Sequence, residues 1–418
     1  MNISNSRAIL FFALAIHFAC APFLAVAATL IPEVPGHAPM LIMYLAKGAP
    51  NSCGPGCDRW IAIEGTIDAD AASRVSQFLN GVKDTQLPIY FHSPGGEVRQ
   101  AFAIGRLLRA RKAIGRVGRT IASACAAGSQ VDDACLKIKT AGGEVQAELA
   151  TRYAMCNSAC SYLFLGATTR EVAPDAALGV HDSKLIVEFN EHTSARQRAE
   201  FMASHRDRDD RERASFIEAM GISHELVDLI GTVKFESMHI LTRPELYRFG
   251  IDTRNLAETA WTLEPGARAF IRKTAFARAD DGSFRPMEWR LFCESKYRAR
   301  LMFIREFDKG APVTSSVTLI AGSEKQPSFG SLPVRQGRYE IWSAMIDTDA
   351  VNNWFALRHL QVGENTLMPD GRASQALLEI DTNGLEGAWT RLSGSCAAPP
   401  SSARRMIAVP GTPNTPAL

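Results

Sequence analysis

The sequence has no G-x-x-x-x-G-K-S/T phosphate loop, so nothing in it points to ATP-driven work. It has no paired C-x-x-C motifs of the kind that hold structural zinc, and no metal or cofactor is expected. Neither sign of charge dominates: 46 Lys and Arg stand against 44 Asp and Glu, a net charge of +2. That balance gives no argument for a nucleic-acid partner or an acidic substrate. No internal repeat is present. The apolar run near the N-terminus is broken by His17 and Pro22, which argues against a stable membrane span there.

What is present begins with a targeting pattern. Arg7 precedes the apolar stretch Ala8–Ile16, and Ala25-Val26-Ala27 is an A-x-A cleavage signal. Residues 1–27 therefore read as a signal peptide of an exported, periplasmic protein; the alternative is an uncleaved N-terminal anchor. Nine cysteines are present, eight once Cys20 leaves with the signal, and an even number in an oxidising compartment reads as disulfides. Cys53 and Cys57 flank a Gly-Pro-Gly turn and are expected to close a small loop. Cys293 and Cys396 are expected to pair with each other. Cys125, Cys135, Cys156 and Cys160 leave three pairings open.

Residues 28–57 form a lead-in rich in Pro and Gly. A strand is expected over Trp60–Ile67 and a helix over Asp70–Leu79, where Ala72, Val75, Phe78 and Leu79 recur at helical spacing. A buried strand, Leu87–His92, runs into Ser93-Pro94-Gly95-Gly96. An amphipathic helix over Val98–Lys112 follows, and then a strand over Arg116–Ala122. This order is a crossover pattern that implies a mostly parallel sheet. Residues 123–155 read as an insertion, expected as a lid or a disulfide-pinned flap. A buried helix follows Ser158, short strands flank Pro174, and a long charged helix covers Ala195–Met220. Thr242 is expected to cap a short helix ending near Gly250. Residues 58–261 thus form an α/β domain and 262–400 a β-rich one. Residues 401–418 read as a disordered tail.

Three short stretches carry the chemistry: Ser93-Pro94-Gly95-Gly96, Cys156-Asn157-Ser158-Ala159-Cys160 and Leu178-Gly179-Val180-His181. A Gly-Gly turn offers backbone N–H groups to an oxyanion. A Ser opening an apolar helix is placed to attack, and a His further along to take its proton. With Arg170, Pro174 and the segment Leu241–Asp252, this set resembles the Clp protease proteolytic subunit. It is more similar still to exported, uncharacterised proteins of the Clp-protease/crotonase-like superfamily. The resemblance covers about residues 58–253. It implies an α/β spiral of β-β-α units (ClpP/crotonase-like), and by analogy with related folds a homo-oligomer. It implies Ser158 as nucleophile at a helix N-terminus, where the macrodipole favours negative charge. His181 matches the general base, and Ala159 with Gly95 or Gly96 matches the oxyanion hole. The expected substrate is a peptide or protein.

Two departures stand out. Gly95 and Ser158 lie about twice as far apart as in that family, because of the insertion at 123–155. The family's third catalytic residue, an Asp, falls at or near Met238; Glu236 and Asp228 are the nearby acids. Asp182 adjoins His181, but successive strand side chains point to opposite faces. A second Ser-Ala-Cys string, at Ser123, is not followed by an apolar helix or a spaced His, so Ser158 is preferred. His92, His192, His205, His224, His239 and His359 read as structural. Against the peptidase reading stands a non-catalytic assembly or binding module of the same fold. Acyl-CoA chemistry is disfavoured, because it does not need the Ser/His pair.

Overall fold

The computed structural model describes residues 36–184, 187–266, 268–306, 314–322, 324–329, 333–367, 373–394 and 396. The expected signal peptide, residues 28–35 of the lead-in and the tail at 401–418 lie outside them. The described chain is a mixed α/β structure with several sheets.

Its first half runs β1 (Ile42–Lys47), β2 (Arg59–Glu64), α1 (Ala71–Gly81), β3 (Ile89–His92), α2 (Val98–Ala110), β4 (Ile114–Val117), β5 (Arg119–Ala122), α3 (Asp133–Thr140) and β6 (Glu144–Ala150). It continues through β7 (Met155–Asn157), α4 (Ala159–Leu165), β8 (Thr169–Glu171), β9 (Ala177–Val180), α5 (Ala195–Ala219), α6 (Glu225–Thr232), β10 (His239–Ile240) and α7 (Arg243–Arg248). The main sheet has the order β5-β6-β1-β2-β3-β4-β8. β2, β3, β4 and β8 pair in parallel, as the crossover pattern requires. The apolar run of β2 and β3 is buried along nearly its whole length, which suits strands covered on both faces.

Three parts depart from the sequence expectation. β1 arises inside the Pro- and Gly-rich lead-in and pairs antiparallel with β2. The stretch at 123–155 forms no lid. Its strand β6 enters the main sheet between β5 and β1, and α3 is tied down by the disulfide Cys125–Cys135. The strand expected over 116–122 is split at Gly118, with β4 staying in the parallel set and β5 turning to pair with β6.

A second, three-stranded sheet, β10-β9-β7, carries the candidate site. β7 and β9 are parallel, with Asn157 beside Gly179, and β10 is antiparallel to β9. The core under both sheets includes Phe91, Phe102, Leu163, Phe164 and Phe216, with Phe102 and Phe216 stacked at 4.5 Å. α4 crosses α2 closely: a Cβ on Gly166 would meet the Gly105 carbonyl oxygen at 2.2 Å, so only glycine fits there. Below α4, the Arg170 guanidinium donates to the carbonyls of Leu165, Ala167, Met220, Gly250 and Ile251. It fastens the helix end to the turn after α7. α7 itself begins where expected, with Thr242 and Glu245 forming a capping box.

From Leu256 onward the chain is mostly strand. Phe270–Arg278, Phe284–Ser295, Arg298–Glu306 and Tyr339–Asp347 form an antiparallel meander. Thr314–Ala321, Glu324–Phe329, His359–Leu367 and Ala373–Asp381 form a further antiparallel sheet. Two helices, Thr348–Trp354 and Leu385–Ser393, pack a separate core around Trp289, Phe303, Trp342, Trp354 and Trp389. Cys53–Cys57 and Cys293–Cys396 are bonded, and the middle group pairs as Cys125–Cys135 and Cys156–Cys160. Among the described residues no helix is long and apolar enough to cross a membrane.

Candidate functional site

The site starts at the junction of β7 and α4. The strand meets the helix with one residue between them, so that residue must turn the chain sharply. Ser158 does so at φ 56° and ψ −126°, a region L-residues rarely adopt. Such a conformation costs about 1–3 kcal/mol and persists only where the surroundings impose it. Here the Ser158 N–H donates to the Gly179 carbonyl at 2.9 Å. The Ser158 carbonyl accepts from the Ser161 N–H at 3.0 Å and the Ser161 hydroxyl at 2.7 Å. The Cys156–Cys160 disulfide spans the turn. The Ser158 side chain makes no capping bond to α4, so the ordinary role of a serine at a helix start is not the one it plays.

The Ser93–Gly96 loop docks on this junction. The Ser93 N–H donates to the Met155 carbonyl at 2.8 Å, and the Asn157 N–H donates to the Ser93 carbonyl at 3.0 Å. Gly95 has φ 109°, and a Cβ built on it would lie 2.7 Å from the Ser158 Cβ and 3.0 Å from the Ala159 nitrogen. Only a glycine lets the loop come so near the serine. The Gly95 N–H already donates to Ser93 Oγ at 3.1 Å. The N–H groups of Gly96 and Ala159 have no acceptor among the described residues. Those two are the donors left for a ligand.

His181 directly follows β9. The register that sets Asn157 beside Gly179 puts His181 two residues further along, on the same face as Gly179. Its ring is buried, lies 5.1 Å from the Phe235 ring, and leaves Nδ1 without a partner. Burial pushes the imidazole below its ordinary pKa; the Asp182 charge, the backbone of Asp182 and Phe235, and the Glu236 charge oppose this without reversing it. No hydrogen bond joins Ser158 to His181 among the described residues. The sheet therefore brings Ser158, Gly95, Gly96, Ala159 and His181 into one neighbourhood and leaves the proton path open.

The expected acids are not brought to the histidine. Asp182 turns away, with its carboxylate taking the Arg213 guanidinium at 2.8 Å. Asp228 sits on α6, 4.0 Å from His224. Glu236 is exposed and makes no hydrogen bond to His181. The β9–β10 register pairs His239 with Val180, and one step on puts Met238 opposite His181. The Met238 thioether lies over Gly179, 2.7 Å from where its Cβ would be. Sequence reasoning missed Asn157, whose Oδ1 is buried without a partner on that same face. The only signal for it was its place immediately before the serine.

Among known proteins, no family model and no curated protein matches the chain. Solved structures overlap it only weakly, as three of them show. Invasion associated protein B from Bartonella henselae is 14% identical, covering 33% of this chain and 96% of its own, at a TM-score of 0.26. A mutant of the 1510-N membrane-bound stomatin-specific protease is 14% identical over 45% of this chain and 73% of its own, at 0.28. A mutant of ClpP1 from Listeria monocytogenes is 17% identical over 45% and 85%, at 0.26. Overlaps at this level do not assign the fold, and the geometry of the Ser158 turn has to be read on its own terms.

Proposed function

We propose that this chain is an exported, ATP-independent serine hydrolase of peptide bonds, built on a Clp/crotonase-type spiral. Ser158 Oγ attacks the scissile carbonyl carbon while His181 takes the hydroxyl proton. The oxyanion is held by the N–H groups of Ala159 and Gly96. His181 then returns the proton to the leaving amine, and water repeats the cycle on the acyl-enzyme. The observation that carries this reading is the Ser158 backbone, a strained turn beside a glycine loop with two unoccupied N–H groups. Strain of this kind is kept where it serves a site. Phe235, Met238 and Ile240, all exposed near His181, supply an apolar surface for substrate side chains. Self-assembly into a ring or trimer and a periplasmic location belong to the same proposal; the four disulfides suit an oxidising compartment.

One observation favours a second reading, a non-catalytic binding module: His181 Nδ1 has no acceptor to orient the ring. A fluorophosphonate serine probe on the mature protein separates the two. Labelling that vanishes in Ser158→Ala supports the hydrolase. A folded wild type that takes no label sinks it.

A further inference from the structure

We propose that the Cys156–Cys160 disulfide is the positioning device of the site: it sets the Ser158 turn, and the serine is competent only in the oxidised protein. This rests on the reading of Ser158 as nucleophile. The bond encloses three residues, Asn157, Ser158 and Ala159. They include the one strained residue of the turn and one of the two unoccupied N–H donors. Cys156 is fixed on the β7 side, in register with Leu178 and bridged to Ser93 of the glycine loop. Cys160 belongs to the first turn of α4, and both cysteines are fully buried. The bond thus ties β7, the strand on which the glycine loop docks, to the helix that carries Ala159.

A second disulfide of the same sequence separation shows what is unusual. Cys53–Cys57 also encloses positive-φ positions, but they are Gly54 and Gly56, which adopt such angles freely. At Cys156–Cys160 the enclosed residue is a serine, which relaxes to ordinary angles unless held. No side-chain cap fastens the start of α4, and the hydrogen bonds at Ser158 fix its two ends rather than the angle between strand and helix. The covalent bond is the element that fixes that angle. It forms by thiol–disulfide exchange with a small disulfide such as oxidised glutathione. One cysteine thiolate attacks and releases one glutathione thiolate, the second attacks the mixed disulfide and releases the other, and the two cysteine protons end on the two glutathione thiols.

The test compares fluorophosphonate labelling rates of wild type, Cys156→Ala/Cys160→Ala and the control Cys125→Ala/Cys135→Ala, with circular dichroism on each. A misplaced nucleophile should slow labelling by about 100-fold in the first variant, with the control near wild type. A folded Cys156→Ala/Cys160→Ala protein that labels at the wild-type rate overturns the proposal and leaves Ser158 as the nucleophile. If that variant does not fold, stepwise reduction of wild type decides. The expected result is loss of labelling as mass spectrometry finds Cys156 and Cys160 reduced, with the dichroism kept and labelling restored by oxidised glutathione. Labelling that survives their reduction overturns the proposal, as does loss of dichroism together with label, which would make the bond a staple of the whole fold. Absence of label on oxidised wild type is a different failure, that of the hydrolase reading itself.

Discussion

The string Ser-Ala-Cys occurs twice in this chain, and in both places the cysteine is in a disulfide. Ser123 follows β5, donates its N–H to the Gln146 carbonyl and stands exposed at a turn with ordinary backbone angles. Ser158 lies half-buried between a strand and a buried helix, at φ 56°, with Gly95 against its Cβ. The same three residues make a solvated corner in one place and a strained turn against a glycine loop in the other. On the proposed hydrolase reading, reactivity belongs to that backbone conformation and to the loop opposite, not to the tripeptide.

The sharpest way to break the comparison is to remove each hydroxyl in turn. Ser158→Ala should lower the probe labelling rate at least about 1,000-fold, while Ser123→Ala leaves it unchanged. Equal loss in both would mean the probe reads a general change in the protein. The neighbouring glycines extend the contrast. A Cβ at Gly95 would press on Ser158 and on the Asn157 carbonyl, both at 2.7 Å, whereas one at Gly128, near Ser123, meets nothing within 4 Å. Gly95→Ala should therefore cost about 100-fold in labelling, the scale of a displaced oxyanion donor, and Gly128→Ala nothing. An active Gly95→Ala protein would remove the loop from the site.

Much of this was readable before any coordinates. The helices over Val98–Ala110 and Ala195–Ala219 announce themselves by periodicity and by charge, the latter with a Ser194/Gln197 capping box. β2 and β3 show as short apolar runs ahead of turn residues. The sequence expectation puts Met238 at or near the place where the family it resembles has an acid, and β10 sets Met238 opposite His181. Other features were not readable because they depend on distant partners. β1 is nearly all apolar but sits among prolines and glycines, and only pairing with β2 makes it a strand. β6 becomes sheet rather than flap by joining β1 and β5, far apart in sequence. α6 is short, and its start is marked only by Ser223, whose Oγ accepts from the Glu225 N–H. The left-handed φ of Ser158 leaves no trace in composition, because a non-glycine residue is forced there by packing and not by preference.

The pH dependence tests how alone His181 is. As general base it must be neutral to accept the serine proton, so labelling should fall about tenfold per pH unit once the imidazolium forms. Burial holds its pKa below the ordinary value of about 6.5, so the half-maximal rate should come below that pH. A midpoint at or above it would show that the ring is solvated or already paired with a carboxylate, and would contradict the orphaned Nδ1.

The smallest expected effect is also the most specific. Met238 stands opposite His181 one step beyond the His239–Val180 pair, on the face where Nδ1 lacks an acceptor. A carboxylate there should take the Nδ1 proton, fix the tautomer that leaves Nε2 free to accept, and stabilise the imidazolium as it forms. In Met238→Asp the labelling rate at pH 8 should rise about tenfold, only part of what an orienting acid supplies in complete triads. The same charge favours protonated His181, so the midpoint of the pH profile should move upward. The two readouts answer different questions. A higher rate without a shifted midpoint would mean that loss of the thioether merely opened the pocket over Gly179. A shifted midpoint without a higher rate would place the acid correctly beside a histidine that does not serve Ser158, and would favour the binding module over the hydrolase.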